Sequence, residues 1–147
     1  MRLKKVLASA LTAAMMVSMI PFVASADSGI TLSTIQNPKL KAELEKRDCA
    51  PKDGKLTGTE LAIGVTLDIS NMDITDDDFS VLSSFEYING LNCSNNKITK
   101  LDAISGLTTM EKLDCSNNSI SSLYPILGFS KLTDLDCSNT RVVLFSN

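Results

Sequence analysis

Apolar positions in residues 67–147 recur with a fixed period. Leu91-Asn92-Cys93-Ser94-Asn95-Asn96-Lys97-Ile98 returns as Leu113-Asp114-Cys115-Ser116-Asn117-Asn118-Ser119-Ile120, then as Leu135-Asp136-Cys137-Ser138-Asn139-Thr140-Arg141-Val142, 22 residues apart each time. A diverged copy, Leu67-Asp68-Ile69-Ser70-Asn71-Met72-Asp73-Ile74, lies 24 residues upstream. Four copies in register predict a repeat architecture. The alternation at the start of each copy predicts a short strand with Leu and Cys on one side. Between copies, Ile98, Leu101, Ile104, Leu107 and Met110 fall every third residue, as do Ile120, Leu123, Ile126, Phe129 and Leu132. A period of three suits tight 3₁₀-type turns better than an α-helix. Each repeat therefore reads as one strand, one bend and a short return.

The frame Ile88-x-x-Leu91-x-Cys93-x-x-Asn96-x-Ile98, with its copies starting at Met110 and Leu132, resembles the leucine-rich repeat family. The 22-residue spacing is similar to the bacterial class found in internalin-like surface proteins. The resemblance covers roughly residues 64–147 and implies an α/β solenoid. Its features would be a right-handed coil, a short parallel sheet on the concave face, 3₁₀-type convex turns and a small helical N-terminal cap. Within that frame Asn96 and Asn118 should turn inward at the bend, where a buried amide can satisfy backbone groups of neighbouring coils. Met72 and Thr140 depart from this ladder. Met72 stands in the first coil, where atypical residues are usual; Thr140 is too short for two-sided bonding and should weaken the last coil.

Upstream of the repeats the pattern changes twice. Arg2, Lys4 and Lys5 precede an uncharged apolar run at 6–20, followed by Pro21 and the small-residue site Ala24-Ser25-Ala26. This is the layout of a cleaved secretory signal peptide, short for a membrane anchor, which needs about 20 residues. It predicts export, to the medium or the cell surface, and no membrane span after cleavage. Asn37-Pro38 ahead of Leu40 and Leu44 reads as an N-cap and first-turn proline, predicting a helix over 38–47. Thr57-x-x-Glu60 forms a capping box, predicting a second helix from about Gly58. Three parts follow: a signal peptide at 1–26, a helical cap at 27–66 and repeats at 67–147. Residues 49–60 align with a twelve-residue EF-hand loop, and related bacterial repeat proteins often carry an EF-hand-like cap. Asp53, Gly54, Leu56 and Glu60 stand at positions 5, 6, 8 and 12, but Cys49 and Pro51 hold positions 1 and 3, where carboxylates are required. A geometric remnant without calcium is the expectation, and neither metal nor cofactor is expected elsewhere.

Charge and composition narrow the chemistry. The chain has no His, so His-based triads and His metal sites are excluded. Serines lack a candidate base, and acid pairs on a flat polar sheet lack the burial that separates two pKa values; no enzyme is expected. Residues 27–66 balance six acids against six bases, whereas 67–147 carry 11 acids and five bases. Nucleic acid is not an expected partner. Cys93, Cys115 and Cys137 lie one repeat apart and should stack as free, buried thiols filling a narrow core. Parallel register aims their Cβ atoms the same way, which suits a disulfide poorly. Asp76-Asp77-Asp78, in the longer first repeat, reads as a solvated turn.

Residues flanking the core Leu and Cys should point out from the sheet. These are Thr66, Asp68 and Ser70; Gly90, Asn92 and Ser94; Lys112, Asp114 and Ser116; Asp134, Asp136 and Ser138. One reading is a groove for a basic peptide, protein or cationic glycan. The other is a repeat consensus chosen for solubility and ladder geometry. Phe145 aligns with Leu123, and Ile126, Phe129 and Leu132 have no later counterparts. The expectation is the front of a longer surface protein, or self-association through an uncapped strand edge. Two roles stay open: a secreted module that binds a macromolecule on its concave face, and a remnant or spacer of a larger secreted protein.

Overall fold

The computed structural model describes residues 29–48, 54–56, 60 and 65–142. The signal peptide, Cys49, the second helix apart from Glu60, and most of the EF-hand-like loop lie outside the described residues.

The cap opens with strand β1 (Ile30–Thr31), antiparallel to β2 (Lys55–Leu56), with Ile30 opposite Leu56. A 3₁₀ turn, Leu32–Thr34, leads to helix α1, Pro38–Glu45. Asn37 starts α1 as expected: its side chain accepts from Lys39 N (3.0 Å) and Leu40 N (3.1 Å), and Pro38 occupies the first turn. Leu40 and Leu44, one helical turn apart, are fully buried. The helix stops two residues earlier than the pattern suggests, in a turn where Arg47 N donates to Leu44 O.

The repeats build one parallel sheet in the order β3 (Val65–Asp68), β4 (Ile88–Asn92), β5 (Lys112–Asp114), β6 (Asp134–Asp136). Leu67, Leu91, Leu113 and Leu135 are mutual register partners. Strands of such a sheet must be joined by crossovers, and here each crossover is short. The three-residue period folds as expected into 3₁₀ turns at Asp102–Ile104 and Tyr124–Ile126. Ile98, Leu101, Ile104, Leu107 and Met110 are all buried. One coil later Ile120, Ile126 and Phe129 are buried, while Leu123 and Leu132 are only partly covered. In β6 every residue is exposed, Leu135 at 40%.

The first coil returns differently. Asp76-Asp77-Asp78 is not a solvated turn but most of helix α2, Asp76–Phe79, which runs into a five-residue 3₁₀ helix, Ser80–Ser84. Thr75 and Asp78 form a reciprocal capping box at its start, and three carboxylates complement the helix N-terminus. The longer return accommodates this extra turn and buries Phe79, Leu82 and Phe85.

The asparagine ladder forms as expected. Asn118 Oδ1 accepts from Ile98 N (3.0 Å), and its Nδ2 donates to Cys93 O, Cys115 O and Ser116 O. Asn96 does the same one coil earlier, accepting from Met72 N and Ile74 N and donating to Ile69 O. Each Asn thus closes the coil before its own. Met72 has no such coil before it; its carbonyl instead accepts from Asn37 of the cap. Thr140 makes a single bond of this kind, Oγ1 to Cys137 O within its own coil.

Candidate functional site: the concave sheet face

Side chains alternate across each strand, so the outer face carries two columns. The first is Thr66, Gly90, Lys112, Asp134; the second is Asp68, Asn92, Asp114, Asp136. All of these except Asp68 border a shallow hollow of about 380 Å³. Thr66, Asp68, Lys112, Asp134 and Asp136 are exposed, and Asn92 and Asp114 half-buried. Gly90 is buried because Thr66 leans over it: a Cβ there would lie 3.1 Å from Thr66 Oγ1.

The third flanking position does not face a partner in the middle of the sheet. Ser94 and Ser116, expected to point outward, are each only 5% exposed. Their hydroxyls turn back on the preceding column: Ser94 Oγ donates to Asn92 Oδ1 and Ser116 Oγ to Asp114 Oδ1, both at 2.7 Å. The same acceptors take the Ser94 and Ser116 amides at 3.1 and 3.0 Å. Asp68 and Asp136 accept likewise from the amides of Ser70, which is half-buried, and Ser138, which is exposed. The Ser138 amide holds the Asp136 carboxyl below its usual value. Each acid thus closes the turn after its strand through one oxygen. Among the described residues, the second oxygens of Asp68, Asp114 and Asp136 take no hydrogen bond, and Lys112 makes no ion pair.

Beneath the face, Cys93 and Cys115 are buried and Cys137 half-buried, all as free thiols. Burial pushes the Cys93 thiol far above its ordinary range and the Cys115 thiol to about 12. Such thiols are packing groups, not nucleophiles. No three His, Cys, Asp or Glu side chains among the described residues gather to hold a metal.

Two features escape the repeat frame. The first Asn of each bend is left-handed: Asn71, Asn95, Asn117 and Asn139 have φ between 53° and 58°. Asn tolerates that region better than other side chains, which is the signal that the S-N pair carried. The second is a set of carboxylates that tie elements together. Asp73 bridges Lys39 of the cap (3.1 Å) and Lys97 of the next coil (3.2 Å). Asp76 accepts from Thr99 N (2.7 Å), Thr99 Oγ1 and Lys100 N.

Comparison with known proteins agrees with this geometry. Residues 88–125 match the sequence model of the leucine rich repeats (2 copies). The functional domain of InlJ from Listeria monocytogenes, described as including a cysteine ladder, superposes with a TM-score of 0.65 at 23% identity. That match covers 80% of this chain and 26% of InlJ's. The internalin InlF from Listeria monocytogenes gives 0.58 at 17% identity, covering 84% of this chain and 36% of its own. This chain therefore spans about a quarter to a third of those structures. No curated protein matches it. The fold is the leucine-rich-repeat solenoid of the internalins.

Proposed function

We propose that the protein is a secreted or cell-surface binding module that receives a basic protein or peptide segment on its concave face. In this reading residues 1–26 direct export, 27–66 cap the core and 67–147 carry the binding surface. It binds without catalysis, and no helix among the described residues is long and apolar enough to cross a membrane. The observation that carries the reading is the second carboxylate oxygen. Asp68, Asp114 and Asp136 each close a turn with one oxygen and leave the other free on an exposed, net-acidic face. A partner that supplies Lys or Arg across the strands would meet these oxygens in register.

The same hydrogen bonds favour a second reading, in which the column only shapes the turns of a spacer. A substitution that separates charge from shape decides between them. Asn92 shows that an amide closes the turn as well as a carboxylate does. Asp114→Asn with Asp136→Asn therefore keeps the geometry and removes two charges. Wild type is expected to select Lys/Arg-rich sequences from a peptide library. The double variant should bind the selected peptide about tenfold or more weakly, and salt should weaken both. A library that yields no basic peptide, or a variant that binds as wild type does, leaves the spacer reading.

A further inference from the structure

The two outward columns of the sheet are built under different constraints. In the second column, Asp68, Asn92, Asp114 and Asp136 each accept the amide two residues on. The turn after the strand therefore calls for Asp or Asn at that position. The first column is free of that requirement. Thr66, Gly90, Lys112 and Asp134 fill one repeat position with four different chemistries. The side chains of Thr66, Lys112 and Asp134 are exposed and make no hydrogen bond among the described residues. Lys112 and Asp134 are register partners on adjacent strands and opposite in charge. Yet the ion pairs among the described residues leave both out.

We propose that Lys112 is a specificity-determining residue of the concave face, and that it selects, among basic segments, those carrying an Asp or Glu where the segment crosses β5. The proposal rests on the reading that this face receives a basic segment. Among the outward residues of the two columns Lys112 is the one cation. It borders the hollow together with Asn92, Asp114, Asp134 and Asp136. A uniformly basic segment would be attracted by the acids and repelled at Lys112. An acid at that point turns the repulsion into attraction. A base beside it, one strand spacing of about 4.8 Å away, meets Asp134. A like-charge contact rejects wrong partners as surely as an opposite charge favours the right one. The second column, fixed by the turns, gives the general preference for a base; the first, free of them, chooses among basic segments.

The test sorts one peptide library on the full chain and on its Lys112→Thr and Lys112→Asp variants. Thr66 and Asp134 fill the equivalent position in other strands, so both substitutions suit the fold, and an unchanged Tm checks this. Wild type should select basic peptides with an Asp or Glu at one fixed position. Replacing that acid with Ala should weaken binding to wild type about threefold, the effect of an exposed ion pair, and leave binding to Lys112→Thr unchanged. Replacing it with Lys should weaken binding to wild type about tenfold, since attraction is lost and repulsion added, and should strengthen binding to Lys112→Asp. If either variant folds poorly, the Ala and Lys peptides on wild type decide, and equal affinity for all three peptides overturns the proposal. A library that yields no basic peptide removes the binding reading and this proposal with it. Basic peptides without a fixed acid, or an acid whose replacement costs as much on Lys112→Thr as on wild type, overturn the role of Lys112 alone and leave the binding reading standing.

Discussion

At the scale of single residues, one side chain does work that a repeat protein otherwise lacks donors and acceptors for. The bend after each strand is neither helix nor sheet, so its backbone groups need other partners. Asn118, only 7% exposed, meets four of them across two coils. Replacing it with Ala would strand buried amides and carbonyls and should cost about 2–4 kcal/mol. Thr140 provides the opposite test, because it fills the same position without reaching the coil before it. Thr140→Asn should supply Ile120 N and Cys115 O with the amide that Asn118 gives Ile98 N and Cys93 O. We expect about 0.5–1.5 kcal/mol of added stability in urea unfolding. If both variants leave the transition midpoint unchanged, the ladder is not what joins the coils. The neighbouring Asn117 acts through the backbone instead, since its left-handed φ of 53° suits Asn and opposes β-branched residues.

Between elements, the cap and the solenoid are joined by polar contacts that no periodicity announces. Asp73 takes Lys39 from α1 and Lys97 from the following coil. Hydrogen bonds from Lys39 and Lys97 hold its carboxyl below the ordinary value of 3.8. At Asp76 partial burial pushes the other way, but bonds from Thr99 and Lys100 outweigh it and the carboxyl is again lowered. A lowered folded pKa stabilises the fold above the ordinary value, and the contribution disappears as pH falls through the lowered one. Acidification below about pH 4 should therefore loosen α1 from the sheet before the sheet itself opens. Hydrogen exchange reads this directly: α1 amides should lose protection at a higher pH than β4 amides. Asp73→Asn, which keeps a residue suited to its φ of 59°, should bring that loosening to neutral pH. Simultaneous loss in both elements would show that the clasp holds nothing. The contrast with the sheet explains what the sequence revealed. Strand and bend recur in four copies, 24 and then 22 residues apart, and the three-residue 3₁₀ return recurs in two, so repetition made them legible. The Asp73 clasp and the Asp76 bridge to Thr99 occur once, and each depends on which polar groups meet from distant parts of the chain; helix α2 also occurs once, so no repetition marks it, although its capping box is local. The outward serines were misplaced for a related reason: alternation gives a side chain's face but not the local hydrogen bond that turns Ser94 and Ser116 back.

Across the whole molecule, core residues stay buried from the cap through the third strand of the parallel sheet and lose cover only toward the fourth coil, and the thiols sample that change at equal intervals. Cys93 and Cys115 are fully buried, whereas Cys137 is half-buried below a strand whose Leu135 is 40% exposed. In a solenoid each coil rests mainly on its neighbours, so opening can start at the weakest coil and propagate. Lacking an Asn at position 140, the fourth coil is that weakest one. A thiol-reactive probe, read residue by residue with mass spectrometry, should therefore modify Cys137 first, then Cys115, and Cys93 last. Alkali should speed the labelling of the buried thiols. Burial raises the Cys115 thiol from the ordinary 9.0 to about 12. The neutral thiol thus stabilises the folded coil below 9.0, and that contribution is lost as pH rises from there through about 12. Labelling of Cys115 should accelerate over that window as its coil opens. Equal rates at all three thiols would instead mean that the coils unfold as one unit, with the asparagine ladder coupling them more strongly than burial separates them.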